Sequence, residues 1–195
     1  MSLVNRVQNI IIRPKLEWPV IAMEPATPAS LYTSYIIPLA AIGPIFSFLS
    51  YALFLHHPIV GAAIAALSFV LELAYVFVAA LIAQALASSF DGANDRIEAL
   101  KWIAYSYTPR WVAGIALVIP IFGALLLLVA SIYSLYVLYL GVGPTMRVPP
   151  EKSVGYVVVV ILCLILVGFV VGAIVAAVGA AVMLSAAATA GSLMR

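Results

Sequence analysis

From Val154 to Ala190 the chain carries no charged residue. A run of that length exceeds the roughly 20 apolar residues needed to cross a hydrocarbon core. In lipid, where water cannot satisfy backbone N–H and C=O groups, such a run is helical because a helix bonds them internally. Three further stretches have the same character, so the bilayer is the solvent for most of the molecule. The composition agrees, with 66% hydrophobic and 8% charged residues, against about 25% charged in soluble domains. A soluble enzyme is excluded on this ground. The net charge of +2, with nine Lys and Arg placed singly or in pairs, also excludes a nucleic-acid surface. The single cysteine, Cys163, falls in an apolar run and can build neither an intramolecular disulfide nor a thiolate metal cluster. The stretch between Arg6, Arg13 and Lys15 is too short and polar for the core of a secretory signal.

Residues 1–30 read as an N-terminal cytoplasmic and interfacial segment, and residues 31–195 as a transmembrane domain. Leu3, Val4, Val7, Ile10 and Ile11 recur on one helical face, with Asn5, Arg6, Gln8 and Asn9 opposite. This predicts a short amphipathic helix in the interface, its cations toward the headgroups, ending at Pro14. Pro19, Pro25 and Pro28 then predict an extended or turning stretch, and Thr27-Pro28 an N-cap for the first span. Spans are expected at about 31–55, 58–88, 97–119, 121–142 and 154–190. Pro38 and Pro44 predict a kink in the first. Trp111 to Val142 as one helix would reach about 48 Å at 1.5 Å per residue, too long for a core of about 30 Å. The region is therefore divided into two helices meeting in a tight turn around Pro120 and Gly123.

Lys and Arg near span ends collect on the cytoplasmic side. Five spans put Arg6, Arg13, Lys15, Arg96, Lys101, Arg110, Arg147 and Lys152 on one side and Arg195 on the other. Four spans would divide them. The expected fold is all-α: a polytopic bundle of five transmembrane helices preceded by the interfacial helix, N-terminus inside and C-terminus outside.

Glu72 is the one acidic residue deep inside a span, a functional-site candidate by default. Gly61, Ala65, Ser68, Glu72, Tyr75 and Ala79 form a small or polar stripe on its helix, and Ser68, Glu72 and Tyr75 make a candidate intramembrane polar site. Two readings stand: a proton- or cation-binding carboxylate in a transport path, or a neutral carboxyl hydrogen-bonded to Ser68, Tyr75 or a neighbouring helix. Gln84 sits only loosely on that face. His56 and His57 point about 100° apart on a helix and read as a turn before Pro58 rather than a metal site. Tyr133, Tyr136 and Tyr139, and likewise Tyr105, Tyr107 and Trp111, suit an interfacial aromatic belt. Gly168, Gly172, Ala176 and Ala180, spaced by four, form a smooth strip for close helix packing, within the chain or with a second copy. No zinc-hydrolase pattern, phosphate loop or Ser-His-Asp set is present, so no catalytic residue, cofactor or metal ligand is assigned.

Three stretches together resemble the prokaryotic branch of the Yip family, the Ypt/Rab-interacting membrane proteins. They are Arg13-Pro14-Lys15-Leu16-Glu17-Trp18-Pro19-Val20-Ile21 with Glu24-Pro25; Gly92, Asn94, Ala99-Leu100-Lys101 and Ala104 to Pro109 with Trp111 and Ala113-Gly114-Ile115; and Tyr133 to Gly141 continuing through Met146-Arg147-Val148-Pro149, Lys152 and Gly155-Tyr156. The resemblance implies five transmembrane helices and a cytoplasmic N-terminus. Eukaryotic relatives are associated with Golgi and endoplasmic-reticulum membranes and Rab-type GTPases. The long N-terminal region of those relatives and an Asp-Leu-Tyr-Gly-Pro motif are not found here, so Rab binding is not carried over.

These readings lead to an expected non-enzymatic scaffold or membrane-organising protein of a prokaryotic cytoplasmic membrane. Its expected partners are lipids, other membrane proteins or itself, and no nucleic acid. Arg13, Lys15, Glu17, Trp18, Asn94, Lys101, Tyr105, Arg147 and Lys152 are expected to form a cytoplasmic motif face toward anionic headgroups. The alternative is a small transporter or channel using Glu72.

Overall fold

The computed structural model describes residues 2–193. All regular elements among them are helical: α1 (Leu3–Ile12), α2 (Pro14–Met23), α3 (Pro28–Leu53, interrupted), α4 (Pro58–Ala87), α5 (Arg96–Ser106), α6 (Thr108–Ala113), α7 (Pro120–Gly141) and α8 (Pro150–Leu193). Among the described residues, four stretches are long and apolar enough to cross a membrane: Pro28–Leu53, Pro58–Phe90, Ile121–Met146 and Pro150–Ser185. Arg195, the one cation expected on the far side, lies outside the described residues.

Proline sets most of the starts. Pro14, Pro28, Pro58, Pro109 and Pro120 stand in first turns, where the missing N–H would have had no partner. Pro14 therefore ends α1 and begins α2, correcting the extended stretch expected there. Pro19 is accommodated within α2 while Trp18 and Ile21 bury completely on its inner face. In α3, Thr27 caps Ser30 and a π-turn over Tyr32–Ile36 precedes Pro38. The widened turn, closed by Ile37 N–H onto the Tyr32 carbonyl, relieves the clash a proline makes with the preceding turn.

The region expected to form a third span is helical but broken. Asp95 caps α5 through Ile97 N–H at 2.8 Å and Glu98 N–H at 3.1 Å. Pro109 then forces a new start at α6, and a 3-10 stretch, Gly114–Val118, leads to Ile119. There the chain reverses tightly, since a Cβ on Gly123 would lie 2.2 Å from the Ala116 carbonyl oxygen. Every residue from Ala99 to Ser106 is buried, so α5 lies inside the bundle. α4 packs against α3, α5 and α8, and α7 against α5 and α6.

At one end of the bundle the loop after α4 and the segment after α7 interlock. Ala93 N–H donates to the Met146 carbonyl at 2.7 Å, and Lys152 forms an ion pair with Asp91. A Cβ on Gly92 would lie 2.6 Å from Val148 Cγ2, so only glycine permits this approach. The α1–α2 hairpin packs near the same end, across the last turns of α7.

Candidate functional site

The hairpin is held by ions and indoles. Arg6 does not face outward as expected; it is buried on the inner side of α1 and bonds Glu17 and Glu24. Burial alone would lower the guanidinium pKa, but Glu24 and Glu17 together raise it above its ordinary value. Its Cζ lies over the Tyr105 ring, 5.8 Å from the centroid. Trp18 Nε1 donates to the Val137 carbonyl at 3.0 Å, and Trp102 Nε1 to the next carbonyl, Leu138, at 2.7 Å. The two indoles close over Gly141, whose added Cβ would stand 2.6 Å from Trp18 and 2.8 Å from Trp102. Tyr133 reaches the Ile11 carbonyl at 2.7 Å and fastens α1 as well.

The nine residues expected on one motif face divide. Glu17, Trp18, Lys101 and Tyr105 are buried, with Lys101 Nζ on the Glu24 carbonyl and Glu98, each at 2.7 Å. Arg13, Lys15, Asn94, Arg147 and Lys152 are exposed. Asn94 meets Gln84 at 2.7 Å, and Arg147 adopts a left-handed backbone with φ 54°. The aromatic-belt reading is likewise divided. Tyr136 and Tyr139 are exposed, whereas Tyr105 lies under Tyr35, with centroids 4.4 Å apart, and Trp111 is buried. Sequence periodicity could not separate these, because an amphipathic ring suits an interface and a hydrogen-bonded core equally.

Glu72 has a partner that spacing did not suggest. Its Oε1 accepts from Trp111 Nε1 at 2.8 Å, not from Ser68 or Tyr75. Tyr75 instead donates to the Leu164 carbonyl at 3.1 Å and accepts from Tyr107 at 2.8 Å. Ser68 and Glu72 share the wall of a small cavity of about 170 Å3, while Glu72 and Tyr75 share a larger cleft of about 490 Å3 between α4, α7 and α8. Arg110 lines both cavities. It therefore stands beside Glu72, midway along α4, and not at the end of the bundle where charge sidedness put it. Its position inside the expected 97–119 span was the signal that set it apart from the cations at span ends.

Within the chain, the small-residue strip of α8 meets another helix only near Gly168. Gly172, Ala176 and Ala180 are exposed, and a Cβ on Gly172 would meet nothing within 4 Å. Contact with α4 runs through Gly179, opposite Ile64, and through Leu164 and Gly168 near Tyr75. A four-residue spacing drifts off one face of a 3.6-residue helix, which moves the real contact to neighbouring positions. His56 and His57 are exposed in the turn before α4. Among the described residues, no group of three or more His, Cys, Asp or Glu is placed to hold a metal ion.

The chain matches the Yip1 domain family over residues 9–172, from the end of α1 well into α8. It belongs to the Yip1 family. Searches of curated proteins and of solved structures gave no match. The match takes in α2, the indole-clasped end of α7 and the interlocked loops. The three stretches that carry the Yip resemblance thus supply much of this Yip1-family chain's interior: Trp18, Tyr105, Trp111 and Tyr156 are all buried.

Proposed function

We propose that this Yip1-family chain is a non-enzymatic membrane-organising protein that crosses the membrane five times. On this reading the α1–α2 hairpin is set in the cytoplasmic headgroup layer of a prokaryotic cytoplasmic membrane. The observation that carries it is the hairpin itself. Its two helices are joined through Arg6 and Glu17 and its inner face is tied to the bundle through Trp18 and Tyr133, while Val4, Ile12, Leu16 and Met23 are left exposed beside Arg13 and Lys15. Exposed apolar side chains next to cations are the chemistry of an interfacial helix over anionic lipid. A wedge fixed to a transmembrane bundle would hold a constant depth and crowd one leaflet.

Five crossings are supported by the interlocked loops. Ala93 and Met146 touch, so the segments ending near them leave the bilayer on one side. The chain between α4 and α7 must then cross once, and α5 with α6 is that crossing. Burial of α5 explains how Lys101, Ser106 and Thr108 are tolerated there, because none of them meets lipid.

The test is reconstitution of the full chain into vesicles of phosphatidylcholine with phosphatidylglycerol, reading anionic-lipid enrichment around the protein by energy transfer to labelled lipid. Lys15→Gln with Arg147→Gln should lower the enrichment, and Leu16→Ser with Met23→Ser should weaken vesicle deformation. Enrichment indifferent to both charge changes would remove the lipid-organising role.

A further inference from the structure

The larger cleft holds an arginine and a carboxyl group that do not pair. Arg110 Nη1 reaches Ser131 Oγ at 3.5 Å, the outer limit of a hydrogen bond, and among the described residues no carboxylate lies within 4 Å of its nitrogens. Glu72 accepts one hydrogen bond, from Trp111, where a carboxylate has room for about four. On the same wall Ser134 is 7% exposed and its hydroxyl is buried without a partner. Such groups are costly to leave unsatisfied inside a bilayer. The rest of the wall is apolar, and Leu135, Ile165 and Phe169 are exposed along its lipid-facing rim. The volume of about 490 Å3 lies within the range of about 300–1,000 Å3 typical of small-ligand sites.

We infer that this cleft is a lateral binding site for a lipid with an uncharged, hydroxyl-bearing head, of the diacylglycerol type. Arg110 and Glu72 cancel in formal charge, so a charged head would leave one charge in excess in a low dielectric. A hydroxyl can accept from Arg110 and donate to Glu72, bridging groups that do not reach each other. An ester carbonyl supplies a further acceptor for Arg110 or the Ser134 hydroxyl. The acyl chains lie along Ile165 and Phe169, through which the lipid enters from the bilayer. The site stands apart from the α1–α2 hairpin and does not depend on the reading of that hairpin.

The experiment uses the full chain in proteoliposomes with a diacylglycerol bearing a photoactivatable chain, and in parallel phosphatidic acid with identical chains. Diacylglycerol should label peptides of α4, α7 and α8 that line the cleft, and unlabelled diacylglycerol should compete. Phosphatidic acid should label about five-fold less, and Arg110→Gln should lower diacylglycerol labelling at least about ten-fold, the loss expected of one hydrogen bond to a charged group. Gly172→Leu fills the cleft where no atom stands within 4 Å of the new Cβ and should abolish labelling without shifting the thermal midpoint. His57→Gln, in the exposed turn before α4, should leave labelling unchanged. Equal labelling by the two lipids, preference for phosphatidic acid, or undiminished labelling in a stable Gly172→Leu protein would each overturn the assignment. If Gly172→Leu is unstable, the comparison of heads in the unaltered protein decides alone.

Discussion

Arg6 illustrates how a single side chain changes meaning between sequence and structure. Its side chain is 6% exposed against Glu17 at 7%, while Glu24, at 44%, also meets water. Removing one partner of a buried pair leaves an uncompensated charge, so Arg6→Leu should destabilise by roughly 3–5 kcal/mol. Thermal unfolding in detergent checks this, and Arg6→Leu with Glu17→Leu should recover part of the loss. The raised guanidinium pKa means that the Arg6 contribution is fully present below the ordinary arginine value and is lost only above the raised one. No alkaline weakening from Arg6 is therefore expected across working pH. The amphipathic pattern of α1 was legible, but Arg6 was assigned to water because its partners lie on another helix. Eleven and eighteen residues separate it from them, and no helical spacing connects such positions.

At the scale of the element, the helices are joined by rings donating to backbone carbonyls. Tyr32 reaches Leu73, Tyr75 reaches Leu164, and Tyr156 reaches Ala83, while Trp18 and Trp102 reach α7. In lipid, apolar contact between helices has little solvent-driven advantage, so hydrogen bonds and close shape carry more of the association. Gly141 is where shape is tightest. Gly141→Ala should force the two indoles apart and cost about 1–3 kcal/mol, the range for overpacking. Indole fluorescence and the thermal midpoint should move together. An unchanged midpoint with unshifted emission would mean that the indoles do not clasp α7. Helix starts were legible from Pro28, Pro58 and Pro120 because proline acts locally. The α8 contact was not, because a small-residue strip shows where a helix can approach and not where one does.

For the whole molecule, the contact between the 88–95 loop and the segment after α7 ties the topology together. In a Cys163→Ala background, Asn94→Cys and Gly143→Cys should react with an impermeant thiol reagent from the same side of sealed vesicles. His57→Cys should react only from the other. Labelling of positions 94 and 143 from opposite sides would contradict five crossings. The exposed Lys152–Asp91 pair at this end should matter little, and Lys152→Gln should cost about 0–1 kcal/mol. Gly92 is the stricter constraint, since any side chain there meets Val148 and the Met146 carbonyl.

The sequence by itself determined the solvent, the helical class and most helix starts, because uncharged runs and prolines act through local chemistry that needs no partner. Family membership was also readable, from stretches whose side chains turn out to be buried in large part. Only the tertiary structure decided which charges lie inside. Arg6 met Glu17, Trp111 met Glu72, and Arg110 came to the same cleft as Glu72, each between different helices. It also turned the continuous 154–190 run into a helix that touches α4 along one side and leaves Gly172 open beside the cleft. Periodicity tells which residues share a face, whereas the partner of that face is chosen by how the other helices pack.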